Sequence, residues 1–246
     1  MAEQKNPKDV KKPKADKPKL DKAHVADTAL DLLNDVGLEG LTLRAIAKEL
    51  NVQAPALYWH FKNKQALLDE MATVMFRRMT QAGAQTSAQT GAQTGADVRY
   101  EPPGTWQEWL VEGNRQLRAT LLRYRDGAKV FSGSRFTGTD HGPELEANLR
   151  FLVDAGFTPD QAAWASTTAY MYTLGFVTEE QGMRPPPGDA GPRREPAVDI
   201  AERAEKLHDY PLAAAAGGQL FAAYDERFEE GLRLIVAGIE ARYEVR

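Results

Sequence analysis

Thr42 to Lys64, reading TLRAIAKELNVQAPALYWHFKNK, constrains this chain more than any other stretch. Leu43, Ile46, Ala47 and Leu50 fall at i, i+3, i+4 and i+7, one apolar stripe at helical period. Thr42 precedes the stripe, and its hydroxyl can accept a hydrogen bond from a free backbone N–H of the first turn. Asn51-Val52-Gln53 interrupts the pattern, with Asn51 suited to the left-handed conformation that closes a helix. Pro55 stands where a second helix begins, because a first-turn residue has no N–H bond to lose. On that second helix Leu57 turns inward, and Ala54, Ala56, Tyr58 and His60 line the open face. Two short helices around such a turn read as a helix-turn-helix, whose second member enters the major groove of DNA. Tyr58 and Trp59 could instead pack a small helical core, but the polar and basic residues gathered beside them favour the DNA reading.

Bulk charge does not supply DNA affinity here. The formal net charge is −4, and from Lys22 to Glu70 there are five Lys/Arg against seven Asp/Glu. Affinity must come from a local arrangement, with Arg44, Lys48, Lys62 and Lys64 on one side and the acids elsewhere. Residues 1–20 are different: seven lysines, three prolines and three acids, with almost nothing apolar. Such a segment cannot offset its ordering entropy by burial and is expected to be a disordered basic tail. Whether it touches phosphate backbone or only solubilises the chain stays open. The chain has no cysteine, which excludes disulfides, thiolate catalysis and cysteine zinc sites. No apolar run approaches the ~20 residues of a membrane span, and no hydrophobic segment follows the charged N-terminus as in a signal peptide. A cytoplasmic protein is expected.

The remaining pattern is helical throughout, and the fold class expected is all-α. Helix one runs from about Lys22 to Val36, with Val25, Ala29, Leu32, Leu33 and Val36 as its buried stripe and Gly37 as its stop. Asn63 caps a fourth helix through about Met79, with Leu67, Leu68, Met71 and Met75 inward. Gly83 to Gly95 is an AQT-type repeat followed by Pro102-Pro103-Gly104, so 81–104 reads as a flexible connection. Thr105-Trp106-Gln107-Glu108 has the capping-box form and opens a helix through Leu110, Leu117 and Tyr124. Pro143 opens another through Leu145, Leu149, Leu152 and Val153, closed by Gly156. Thr158-Pro159-Asp160-Gln161 is a second capping box, starting a helix through about Glu180. The proline- and glycine-rich run that follows makes 182–210 flexible. A last helix spans about Asp225 to Tyr243, with Phe228, Leu232, Ile235 and Ile239 on one face.

At Leu57-Tyr58-Trp59-His60-Phe61-Lys62-Asn63-Lys64 the sequence resembles the DNA-binding head of the tetracycline repressor family, which commonly carries L-Y-x-H-F/V-x-x-K there. Arg125-Asp126-Gly127-Ala128-Lys129-Val130 resembles the centre of that family's ligand-binding domain. The resemblance covers roughly Leu20 to Tyr243. It implies a helix-turn-helix head over 21–66 and a ligand-binding and dimerisation domain over 67–246, joined through the fourth helix. It also implies a homodimer on a palindromic operator, its seam built from the helix after Pro159 and the last helix. The stripe Phe228, Leu232, Ile235 and Ile239 is the expected part of that seam. Arg44, Ala54, Pro55, Ala56, Tyr58, Trp59, His60 and Lys64 match positions of the DNA-binding surface.

For the small-molecule site the resemblance is carried over position by position. Arg135 matches an arginine on a segment that shifts when the drug binds; Ser134 and Glu179 match positions that hold waters on its magnesium ion. Asn148 stands for a glutamine that hydrogen-bonds the drug. The departures are sharper: Thr80, Gly113, Leu117 and Phe131 replace a histidine, an asparagine, a phenylalanine and the histidine that binds magnesium directly. Phenylalanine cannot coordinate a metal. The site therefore favours a sizeable, largely apolar inducer over a magnesium–tetracycline chelate, and no metal or cofactor is expected.

Three functions remain distinguishable: a ligand-responsive repressor, a DNA-binding regulator without a small-molecule effector, and an enzyme. Against the enzyme, His24, His60, His141 and His208 are scattered with no metal-ligand or nucleophile–base spacing among them. No glycine-rich phosphate loop follows a strand, because there is no strand pattern.

Overall fold

Gly37 divides the first helix from the turn that leads to the DNA-binding motif. In the computed structural model, which describes residues 20–89, 104–134, 142–183 and 198–245, helix α1 spans Lys22–Gly40. Gly37 interrupts it with φ 67 and ψ 175, a left-handed excursion that a residue with a Cβ resists. Asp21 caps the start, its Oδ1 accepting from His24 N at 2.8 Å. The buried face is Val25, Ala26, Ala29, Leu30 and Leu33; Leu32 is half-buried and Val36 exposed, contrary to expectation. The face toward the shared core is centred on Ala26, Ala29, Leu30 and Leu33, so Leu32 at its edge packs only partly and Val36 lies beyond it.

Helices α2 (Leu43–Glu49) and α3 (Ala54–Tyr58) form the helix-turn-helix. Thr42 Oγ1 accepts from Ala45 N at 3.1 Å, and Asn51 adopts φ 52. Val52 N then reaches back to Ala47 O at 2.9 Å, the long closing bond of a left-handed helix end. Asn63 Oδ1, accepting from Ala66 N at 2.9 Å, caps α4 (Lys64–Gln89). At 1.5 Å per residue α4 is about 39 Å long. It runs ten residues past Met79, so the first part of the span expected to be a flexible connection, residues 81–89, is helix.

The body follows as α5 (Trp106–Leu122), α6 (Gly127–Ser132), α7 (Gly142–Asp154), α8 (Pro159–Met183), α9 (Ile200–Lys206), α10 (Pro211–Ala215), α11 (Gly217–Phe221) and α12 (Tyr224–Tyr243). No strand occurs among the described residues, and the architecture is all-α. Both capping boxes form. Thr105 Oγ1 accepts from Glu108 N while Glu108 Oε2 accepts from Thr105 N, and Thr158 and Gln161 do the same. Helix α9 and the turn after it occupy part of the span 182–210, whose residues 184–197 lie outside the described residues. Among the described residues no helix is long and apolar enough to cross a membrane.

One buried cluster joins Leu30, Ile46, Leu57 and Phe61 of the head to Met71 and Met75 of α4 and to Leu117, Leu121, Phe131 and Val177 of the body. A second, farther along the body, holds Trp106, Leu110, Leu152, Phe157, Ala165 and Ile239. On α7 only Leu152 is fully buried, while Leu145 and Val153 are exposed. Three of the four residues of the α12 stripe go to their own subunit, and Ile235 is half-buried. Phe228 and Leu232 are fully buried and Ile239 nearly so, against α8 and α5, so they cannot form the seam expected of them. Gly231 makes this packing tight, because a Cβ there would sit 2.0 Å from Tyr172 Oη. Tyr172 lies stacked on Phe228 at 5.6 Å and donates to the Arg227 and Phe228 carbonyls, both at 3.2 Å.

Two arginines of α5 clamp α8 and α12. Arg118, with only 13% of its side chain exposed, donates Nε and Nη2 to the fully buried Glu180 at 2.9 and 2.8 Å, and Nη2 also to Asp225 at 2.7 Å. Its guanidinium sits 4.9 Å from the Phe228 ring centroid, a cation–π contact. Arg115 forks onto Glu229, which holds the Glu229 carboxyl below its ordinary range although burial pushes the other way. Removing half of a desolvated pair strands the other charge. Glu180→Ala is therefore expected to lower stability by about 3 kcal/mol, the low end for such pairs because Asp225 still holds Arg118. Urea unfolding checks this, and a midpoint equal to that of the unsubstituted protein would show that the fork adds nothing.

Candidate nucleic-acid interface and effector site

Helix α3 is a single short turn and a half, held from below. Leu57 and Phe61 are buried in the head core, so the residues between them are forced outward. Tyr58 is 55% exposed and Trp59 90%. Neither packs a helical core, and that reading of the pair is excluded. Pro55 is exposed as well; Ala54, Ala56 and His60 are half-buried, with Ala54 resting partly on the head core. Arg44, Lys48, Lys62 and Lys64 are all exposed around this surface. An indole left nearly bare on a rigid base is unlike a packed core residue, and these exposed residues make up the candidate interface. Lys64 has a second engagement that its sequence does not announce: its Nζ donates to Leu38 O at 2.8 Å. Two N–H groups of the ammonium remain for other acceptors.

The body residues matched to the drug site divide into two groups. Phe131 and Leu117 are buried together in the cluster that reaches Met71 and Met75, and Phe131 lies 6.3 Å from the Tyr170 ring. Ser134 follows one turn on, its Oγ buried with no hydrogen-bond partner among the described residues. Asn148 is half-buried on α7. Thr80 is half-buried too, but its hydroxyl donates back to Arg77 O of its own helix at 3.0 Å. Gly113 and Glu179 face away: Gly113 is exposed with open space where a Cβ would be, and Glu179 is exposed on α8. Arg135 lies outside the described residues. Among the described residues no cluster of His, Asp and Glu side chains gathers as metal ligands would.

Several polar residues around this core carry structure that the sequence pattern did not reveal. Gln181 accepts from Ala128 N at 3.1 Å and donates to Leu121 O at 3.1 Å and Tyr124 O at 2.8 Å, stapling α8 to the corner between α5 and α6. Thr173, fully buried, donates to Asn114 Oδ1 at 2.7 Å. Both sit at the i, i+4, i+8 register of Val177, so a polar residue in an apolar row was the available clue. Tyr170 projects beside Phe131, and burial pushes its phenol up from its usual range. Asp126 opens α6 from a left-handed conformation, φ 57. Burial pushes its carboxyl up, but the Lys129 ammonium and the Leu38 amide outweigh this and hold it below the ordinary value.

The comparisons with known proteins agree with this geometry on both halves. The model of bacterial regulatory proteins of the tetR family matches residues 25–71, and that of the tetracyclin repressor-like C-terminal domain matches residues 100–243. The class A tetracycline repressor protein from transposon 1721 of Escherichia coli is 38% identical over 228 residues, covering 91% of this chain and 92% of its own. The crystal structure of a possible TetR family transcriptional regulator from Streptomyces coelicolor A3(2) superposes with a TM-score of 0.70 at 37% identity, covering 90% of this chain and 99% of its own. A TetR variant from Acinetobacter baumannii AYE in complex with minocycline gives 0.61 at 33% identity, covering 92% and 99%. The chain belongs to the TetR family of bacterial transcriptional regulators.

Proposed function

We propose that this DNA-binding regulator is a repressor that holds a palindromic operator as a homodimer and leaves it when a sizeable, largely apolar molecule enters the body. The observation that carries the effector reading is Phe131. It is 2% exposed and sits where the family's tetracycline-binding members place their magnesium ligand, in an apolar core continuous with α4 and the head. A ligand entering that core perturbs packing that the head shares, and packed cores switch between arrangements rather than deform smoothly. Ser134 offers a hydroxyl without a partner among the described residues to orient such a ligand. Relatives that bind tetracyclines are the reason to test one here. Phe131, Thr80 and Gly113 are the reason to expect failure, since each lost polar contact removes ~0.5–1.5 kcal/mol. In operator-release titrations, tetracycline with magnesium should leave the complex intact at concentrations that release the class A repressor. Tight, magnesium-dependent release would overturn the assignment, and an apolar compound library read by thermal shift should supply the true class.

The seam follows from what α8 and α12 leave uncovered. Trp164, Thr168, Met171, Gly175 and Glu179 form one exposed row on α8, and Leu234 and Gly238 one on α12. Met171 is 65% exposed and Leu234 67%, while Gly175 and Gly238 have nothing within 4 Å of a built Cβ. Large apolar groups beside such small residues suit close helix–helix approach across a two-fold axis. Glu179 then belongs to the seam and faces the partner. Met171→Glu and Leu234→Glu should each yield a folded monomer by native mass and circular dichroism, whereas Phe228→Glu should fail to fold. Dimers surviving both exposed-face substitutions would place the seam elsewhere.

At the DNA, Arg44 is the candidate base reader and Lys64 a backbone positioner. Arg44→Ala should cost about 1–3 kcal/mol on the preferred operator and relax preference at one position in each half-site. Lys64→Ala should weaken all sequences alike and flatten the salt dependence. Binding isotherms on operator variants at two salt concentrations decide this; equal losses on every variant for both substitutions would refute the division.

A further inference from the structure

Leu38 has both of its peptide groups held by side chains from other parts of the chain. Its N–H donates to Asp126 Oδ2 at 3.0 Å, and its carbonyl accepts from Lys64 Nζ at 2.8 Å. Asp126 stands at the corner between α5 and α6, and Lys64 is the first residue of α4, just beyond the recognition helix. One residue, through its two flanking peptide groups, therefore bridges the effector-binding body and the end of the helix-turn-helix.

The surroundings of Leu38 are equally constrained. Gly37, at φ 67, turns the Leu38 N–H out of the helical ladder and toward Asp126. A Cβ at Gly37 would lie 3.0 Å from Arg125 Nε, so the corner packs directly on the bend. Arg125 N donates to Asn34 Oδ1 at 2.8 Å, and Arg125 Nη1 to Asp35 O at 3.2 Å. Lys129 Nζ fixes the other Asp126 oxygen at 2.8 Å. Apolar contacts in the shared core resist separation of head and body, but being non-directional they resist rotation weakly. Hydrogen bonds with fixed donors and acceptors supply the missing angular restraint.

We propose that Asp126 is a positioning residue for DNA recognition: by holding Leu38 it sets the angle of the head on the body, and so the separation of the two recognition helices in the dimer. It is not among the residues matched to the DNA-binding surface or to the effector site. Half-sites on B-DNA lie about 34–36 Å apart, and one base pair of misplacement also rotates the second site around the duplex. A head free to turn about the Gly37 bend would meet several spacings; a clasped head meets one.

The inference rests on the dimeric, operator-binding reading above, and spacing selectivity tests it separately from binding. A palindrome is selected from a random duplex pool with the unsubstituted protein, and its central spacer is then lengthened or shortened by one base pair. The unsubstituted protein should discriminate against altered spacers by at least about tenfold, the size of one ordinary base mismatch. Asp126→Ala should reduce this to within about threefold while base preference inside each half-site is retained. Asp126→Asn, which keeps a side-chain acceptor, should restore much of the discrimination. If Asp126→Ala does not fold, Asn34→Ala, which removes the acceptor for Arg125 N, must loosen spacing in the same way. A folded Asp126→Ala dimer that keeps full spacing discrimination overturns the proposal, because a merely structural role would lower stability without moving that ratio. If the unsubstituted protein selects no palindrome, the operator reading itself fails and this proposal fails with it.

Discussion

Met71 and Met75 of α4 lie in a single buried cluster with Leu57 and Phe61 on the DNA side and with Leu117, Phe131 and Val177 on the body side. That continuity governs the rest of the molecule. Each such side chain contributes about 1.5–3 kcal/mol by leaving water, so head and body cannot part without exposing several of them at once. The head is therefore not a bead on a string. A change in packing around Phe131 is felt at α4, and α4 begins where the recognition helix ends. Methionines suit this position, because an unbranched thioether refills irregular gaps when neighbours shift.

An apolar core of this kind fixes which surfaces meet but not their register. Register comes from a few buried polar bonds. Gln181 ties α8 to the α5–α6 corner, Thr173 to Asn114 ties α8 to α5, and the Arg118 fork ties α5 to α8 and α12. Arg78 extends the pattern to the head, donating to Tyr124 Oη at 2.8 Å and to Asp27 Oδ1 at 2.7 Å. The Gln181 bonds and one of the Arg78 bonds meet on residues 121–128, the corner that also carries Asp126 and leads into Phe131. Directional contacts thus reach from body and head alike to the corner that leads into Phe131.

What was legible in the sequence was what local chemistry decides. Thr42, Asn51, Asn63 and both capping boxes act through their own neighbours, and the structure places each as its residue type demands. The family head and body were legible for a similar reason, since their short motifs carry their own geometry. Choices made between distant elements were not. The row Phe228, Leu232, Ile235 and Ile239 said that one face of α12 is covered, and could not say whether by its own α8 or by another subunit. Leu32 packs only partly on the core and Val36 is exposed, while Ala26 and Leu30, which the pattern did not single out, are fully buried. Short helices α9 to α11 carry too few residues to show a period, so a proline- and glycine-rich neighbourhood masked them. Glu179 and Glu180 differ by a single step of helix rotation, yet one faces solvent and the other is fully buried.

That last pair shows how α8 serves two masters. Its inner row, Ala162, Ala165, Ala169, Thr173, Val177 and Glu180, is buried within the subunit, and its outer row still presents Trp164 and Met171 to water. A helix apolar on both sides is complete only when both are covered, so a lone subunit leaves α8 half-solvated, and the proposed dimer covers the rest. The same helix holds Arg118 through Glu180, and Arg118 also holds the first turn of α12 through Asp225. The two helices of the proposed seam are therefore fixed to each other through α5, whose Leu117 shares a buried cluster with Phe131. In the proposed dimer, an effector that moves α5 would load the seam and the head corner together, coupling each subunit's response to its partner's.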